Sequence, residues 1–187
     1  MVKRRKRVYQ VFMIDPPWPH VRGGRKAIED PEKWAKYPYE VLPYEEISNL
    51  LSNEILSMGD PSGHTAFVWM LERSLTRGTE MMLGLGYKMH VRMVWTKPNG
   101  FAPAYSVRFC HEYLVWFYKH RFQPVADDQR GMFKSWFTGA VRQHSRKPDS
   151  VYRMVDRMFP EARKLDVFSR ENRNGWDCWG NETGKFG

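Results

Sequence analysis

Apolar residues along the chain fall into two patterns that alternate: short unbroken runs and longer stripes at helical spacing. Val8–Ile14 (VYQVFMI) is a run of strand formers that stops at Asp15 and two prolines, which cannot continue a ladder. Thr65–Met70 (TAFVWM), Met89–Thr96 (MHVRMVWT), His111–Tyr118 (HEYLVWFY) and Lys164–Phe168 (KLDVF) read as further strands. Between them, Tyr44–Met58 sets Ile47, Leu50, Leu51, Ile55 and Met58 on one helical stripe. Leu71–Leu85 is predicted helical and closed by Gly86, so Gly84-Leu85-Gly86-Tyr87 is a helix-stop turn and not a ligand loop. Pro148–Phe159 is a predicted helix with proline in its first turn and Val151, Val155, Met158 and Phe159 inward. Two stretches have neither pattern. Pro19–Tyr39, carrying Gly23, Gly24, Pro31 and Pro38, is predicted to be a long loop, of the kind that serves as a lid or stays disordered. Arg121–Gln143 is predicted irregular.

Runs alternating with stripes, without internal repeats, predict an α/β domain: a mostly parallel sheet with helices on both faces. In such sheets ligands bind outside the carboxyl ends of the strands. Asp15 and Arg170 both fall at predicted strand ends.

Composition narrows the reading. The 187 residues suffice for one domain, taken as 1–187 with a basic tail at 1–7. No apolar stretch is long enough to span a membrane and no signal-peptide core follows the basic start, so a cytoplasmic protein is expected. Cys110 and Cys178 are far apart, and His111-Glu112 misses the zinc-helix pattern because Val115 stands where the second histidine belongs. No metal is expected. The net charge of +9 is unevenly placed: Lys3, Arg4, Arg5, Lys6 and Arg7 form one block, and Lys119–Lys147 carries seven Lys/Arg against Asp127 and Asp128. Such an excess suits a polyanion, though a solvated basic surface has the same composition.

The most specific signal is Asp15-Pro16-Pro17-Trp18, a string that arises by chance in roughly one chain of this length in a few thousand. A rigid strand exit would explain the prolines. It would not explain a carboxylate held at the strand end beside an aromatic plane. The N6 amine of adenine is a poor nucleophile because its lone pair is delocalised into the ring. Two acceptors aimed at its hydrogens, the Asp15 carboxylate and the Pro16 carbonyl, would localise that pair and stabilise the charge that develops on methyl transfer. Proline fixes φ and so aims the carbonyls in advance, and Trp18 offers a face for the base.

These residues resemble the signature of the MT-A70 adenine-N6 methyltransferases. The resemblance extends through His144-Ser145-Arg146-Lys147-Pro148-Asp149, Arg163–Arg170, Gly175-Trp176 and Gly180-Asn181-Glu182 in the family's order. It implies a Rossmann-like methyltransferase fold in permuted motif order, with S-adenosyl-L-methionine as cofactor. Asp15 to Trp18 would hold the base, and Asp15 would also approach the amino end of the cofactor. Lys147 would stand at the cofactor–substrate junction, with Asp166 and Phe168 against the cofactor. Arg170, Asn172, Asn181 and Glu182 would contact its ribose and adenine. Each of these could instead be structural: Lys147 and Arg170 as surface charges, Asp166 as a cap, Asn181-Glu182 as a polar tail.

The resemblance favours adenine in DNA as substrate, with RNA adenosine as the alternative. A non-catalytic nucleic-acid-binding subunit of the same fold is the competing class. Because no recognition module is evident, the domain is expected to act as a homodimer on nucleic acid.

Overall fold

The computed structural model describes residues 7–19, 41–99, 107–142, 146–181 and 183–184. Most of the basic tail and most of the predicted loop at Pro19–Tyr39 lie outside them. Among the described residues seven strands form one sheet: β1 (Val11–Ile14), β2 (Gly63–Met70), β3 (Lys88–Thr96), β4 (His111–His120), β5 (Trp136–Thr138), β6 (Lys164–Val167) and β7 (Trp176–Trp179), in the order β5-β3-β4-β2-β1-β6-β7. The pairs β1–β2, β1–β6, β6–β7 and β3–β5 are parallel. β4 alone reverses, antiparallel to both neighbours. The sheet is therefore mostly parallel, as predicted.

β1 lies inside the sheet between β2 and β6 and is fully buried, as its four apolar residues require. Alternation sends Phe12 and Ile14 to one face and Val11 and Met13 to the other. The first face is covered by α1 (Tyr44–Leu50), the helical turn that follows it and α2 (Leu75–Gly84), through Ile47, Leu51, Ile55 and Met82. The second is covered by α3 (Asp149–Met158) through Val151, Val155 and Met158. Helices thus stand on both faces.

The predicted helix Tyr44–Met58 is divided: α1 passes into a π-helical turn at Leu51–Ile55 and a 3₁₀ turn at Leu56–Met58. Ile47, Leu51 and Ile55, all fully buried, recur every four residues, more than the 3.6 of an α-helix. A wider turn lets that repeat stay on the core. β5 and β7 were not predicted. β5 has only three residues, two of them exposed, inside the stretch read as irregular. β7 (WDCW) is too short for a period to show. Each exists because a neighbouring strand offers an edge.

Candidate active site

Ile14 is in register with Val167, and the Asp15 N–H donates to the Val167 carbonyl at 3.2 Å, so the exits of β1 and β6 lie side by side. After Asp15 the two prolines turn the chain tightly. The Trp18 N–H donates to the Pro16 carbonyl at 2.8 Å, and the Leu42 N–H to the Pro17 carbonyl at 3.0 Å. The Pro16 oxygen therefore keeps one lone pair for a further donor.

Trp18 corrects the sequence reading. It is 4% exposed, its indole N–H donates to the Trp69 carbonyl at 2.7 Å, and its ring packs against Tyr44. Gly78 of α2 leaves room for it: a Cβ there would meet the ring at 3.0 Å. A large ring gains more by filling the core beneath the sheet edge than by standing free. Trp18 anchors the turn and presents no open face to a base.

The Asp15 carboxylate lies 3.1 Å from Lys147 Nζ. Lys147 precedes α3, where Arg142 secures the helix start by bonding both oxygens of Asp149 and the Lys147 carbonyl. Its Nζ also sits 3.0 Å from Glu112 Oε2 and over the Trp69 ring. Glu112, 8% exposed, gives its other oxygen to Lys97. Because β4 runs antiparallel, its start brings Glu112 to the same sheet edge as the ends of β1 and β2. The result is a row of alternating charges, Lys97–Glu112–Lys147–Asp15. Burial pushes the Asp15 carboxyl above the usual carboxylate range; Lys147 pulls it back and Glu112 pushes it up. Burial would likewise raise Glu112, but Lys147 and Lys97 hold it below the usual range. Burial works against the Lys147 ammonium, yet Asp15 and Glu112 outweigh it and keep Lys147 protonated.

The β6 side is built differently. Asp166, 2% exposed, is bonded by Ser169 Oγ at 3.0 Å, Arg173 at 3.3 Å and the Tyr152 hydroxyl. Burial pushes its carboxyl up to about 7. Arg173 stacks 3.7 Å over the Tyr152 ring and also reaches Glu171 and Asp149; Arg146 closes on Glu171 from the other side. Phe168 leaves the strand with φ 60°, a left-handed conformation uncommon for a side chain of this size, and its ring meets Trp179 edge-on. Gly180 passes so close that a Cβ would lie 3.1 Å from the Phe168 Cα.

One cleft runs between the two exits. It is lined by Asp15, Lys147, Asp166, Phe168 and Arg170, together with Arg146, Tyr152, Ser169, Glu171 and Arg173. Five residues singled out in the sequence thus meet in one place. Asn172 and Asn181 are exposed and do not line the cleft, and Glu182 lies outside the described residues. Glu112, Lys97, Tyr152 and Glu171 were missed, and Arg173 had only a loose spacing match to the family's motif. A carboxylate opening an apolar run was the only available signal for Glu112.

An α/β sheet with a charged cleft at its carboxyl edge, opened by Asp-Pro-Pro-Trp, defines a Rossmann-like methyltransferase domain. Residues 9–182 match the MT-A70 family model, and the chain belongs to that family. It is 27% identical over 183 residues to an N(6)-adenosine-methyltransferase MT-A70-like protein of Arabidopsis thaliana, a match covering 93% of this chain and 24% of that protein. It is 24% identical over 180 residues to the N(6)-adenosine-methyltransferase catalytic subunit METTL3 of Homo sapiens, covering 93% of this chain and 28% of that protein. It is 26% identical over 193 residues to the type II methyltransferase M.MunI of a Mycoplasma species, covering 95% of this chain and 78% of that protein. The chain thus spans about a quarter of the length of the plant and human relatives.

Proposed function

We propose that the protein transfers a methyl group from S-adenosyl-L-methionine to the N6 amine of adenine in DNA. The observation that carries this reading is the meeting of Asp15 and Lys147 at a cleft between two strand exits. The donor set suits the cofactor: Asp15 matches an ammonium, Arg170 suits a carboxylate or ribose hydroxyls, and Phe168 offers an apolar wall. Bound there, the cofactor would supply a methyl group made electrophilic by its positive sulfur.

The chain's own residues do the rest. Asp15 and the Pro16 carbonyl would accept the two amine hydrogens, which drives electron density onto the nitrogen; as the N–C bond forms the sulfur would keep the bonding pair of the broken S–C bond, and the proton shed by the nitrogen would pass to the Asp15 carboxylate and on to water. Lys147 remains protonated, so it serves as a fixed charge that orients Asp15 and does not act as a base. DNA is favoured over RNA because the type II relative is matched along 78% of its length and the adenosine methyltransferases along about a quarter of theirs. A homodimer would supply the surface that specific DNA binding needs, about 1,000–2,500 Å² of protein.

The test is methyl transfer to matched DNA and RNA oligomers, read by mass spectrometry. N6-methyladenine in DNA at a higher rate than in RNA is expected. A preference for RNA overturns the substrate, and no product from either overturns the reading. Sedimentation with and without DNA tests the homodimer, and an active monomer excludes it.

A further inference from the structure

Lys97 lies outside the resemblance motif and outside the cleft lining, yet it is mostly buried at the end of the charge row. Its side chain is 16% exposed, close to the 11% of Glu112 and the 10% of Lys147. Nζ bonds Glu112 Oε1 and lies 4.9 Å from the centre of the Trp95 ring, so the cation is held between a carboxylate and an aromatic face. The backbone is pinned as well, since the Lys97 N–H donates to the Cys110 carbonyl at 2.7 Å across the β3–β4 pair. Burying a lysine this far is unfavourable unless its charge is matched, and Glu112 is the carboxylate that matches it among the described residues.

The row has a consequence for Asp15. Lys147 is shared almost evenly, 3.0 Å from Glu112 and 3.1 Å from Asp15. How strongly it favours one carboxylate depends on how much of the other's charge is already neutralised. We propose, building on the adenine-methylation reading, that Lys97 is a positioning residue for the reacting carboxylate: by neutralising one oxygen of Glu112 it releases Lys147 to Asp15. Without Lys97, Glu112 would draw Lys147 to itself. Asp15, which also faces Glu112, Arg170, Asp166 and Tyr152, would lose part of its main cationic partner. Its affinity for a proton would rise. Removing the charge of Glu112 should do the reverse, leaving Lys147 wholly to Asp15.

The experiment reads Asp15 directly, in the ligand-free full chain. Asp15 side-chain carboxyl carbons are titrated by carbon-13 NMR and assigned by their loss in Asp15→Asn. In Lys97→Met the Asp15 midpoint should move up by about one pH unit, a tenfold change in the ratio of ionised to protonated form at a given pH. In Glu112→Gln it should move down. Lys97→Arg should restore the wild-type midpoint. In the double variant Lys97→Met/Glu112→Gln the midpoint should equal that of Glu112→Gln alone, because Lys97 acts only through Glu112. If Lys97→Met does not fold, Lys97→Gln takes its place. An unchanged or lowered midpoint in the lysine variant overturns the proposal. So does a lysine effect of the same size with and without Glu112, which marks a merely structural role. Failure of wild-type protein to methylate adenine would sink the functional reading and leave this titration intact, so the two failures are distinguishable.

Discussion

The two strand exits that form the cleft are adjacent in space and fixed by different means. At the β1 exit the chain is stiffened covalently: two prolines set φ, one tight turn follows, and Trp18 is driven into the core to hold it. Its charges form an open row ending at Asp15, which keeps acceptor capacity for something else. At the β6 exit the backbone bends through a left-handed Phe168 and a close glycine, and the polar side chains interlock. Asp166, Arg173, Glu171, Arg146, Asp149 and Arg142 bond one another. The difference separates a site that must act on a ligand from a frame that must hold still. An ion pair that closes on itself keeps its shape, whereas one that ends in a half-satisfied carboxylate is ready for a donor.

The sharpest way to break this contrast is Asp15→Ala. Losing one preorganised contact of this kind costs about 2.7–4 kcal/mol of barrier, so transfer should fall a hundred- to thousandfold while circular dichroism and melting stay near wild type. Wild-type turnover in the variant would remove Asp15 from the mechanism.

Asp166→Asn probes the opposite exit through stability. The folded carboxyl titrates at about 7, against 3.8 for an aspartate free in water. Between those values the folded state binds the proton more tightly than the unfolded chain, so wild-type stability falls as pH rises through the window. Asparagine cannot ionise and escapes this loss. Urea unfolding at the two ends of the window should show the variant gaining on wild type, by about 1.4 kcal/mol for each pH unit crossed. A constant difference across pH would show that Asp166 is not held protonated by burial.

Gly180→Ala tests the backbone approach. It places a Cβ 3.1 Å from Phe168 Cα at a φ of 155°, so a loss of about 2–4 kcal/mol in denaturant unfolding is expected. An unchanged midpoint would mean that the β6 exit shifts freely, and the contrast in rigidity would collapse.

The smallest expected effect separates frame from site within the β6 exit. Arg170 lines the cleft, so Arg170→Ala should weaken S-adenosylhomocysteine binding by about 1.5–3 kcal/mol in calorimetry, with little effect on turnover at saturating cofactor. Unchanged affinity would leave Arg170 without a binding role.

The elements that need only local chemistry were legible along the chain. Val8–Ile14 had to hold a buried strand because its apolar run ends at Asp15 and two prolines, and the strand occupies Val11–Ile14; α3 had to face inward through Val151, Val155 and Met158. The same holds for Asp15: a carboxylate fixed by prolines at a strand end is visible in four letters. Lys147, Asp166, Phe168 and Arg170 were reached by resemblance, and the fold brings all of them to one cleft.

What escaped the sequence depends on partners far along the chain. Trp18 could be seen as an aromatic plane, but only the Trp69 carbonyl, Tyr44 and the gap at Gly78 decide that it is buried. β5 and β7 exist because an edge of β3 and of β6 is there to pair with them. Glu112 joins the site because β4 reverses direction and carries its first residues to the carboxyl edge of its neighbours, and Lys97 meets it there because it follows the end of β3, which pairs with the start of β4. The sequence by itself determined which segments could be strands and helices and where one carboxylate is fixed, since periodicity and proline geometry act between near neighbours. The tertiary structure alone decided which charges share a low-dielectric cleft, because burial and electrostatic pairing depend on distances in space that no spacing along the chain records.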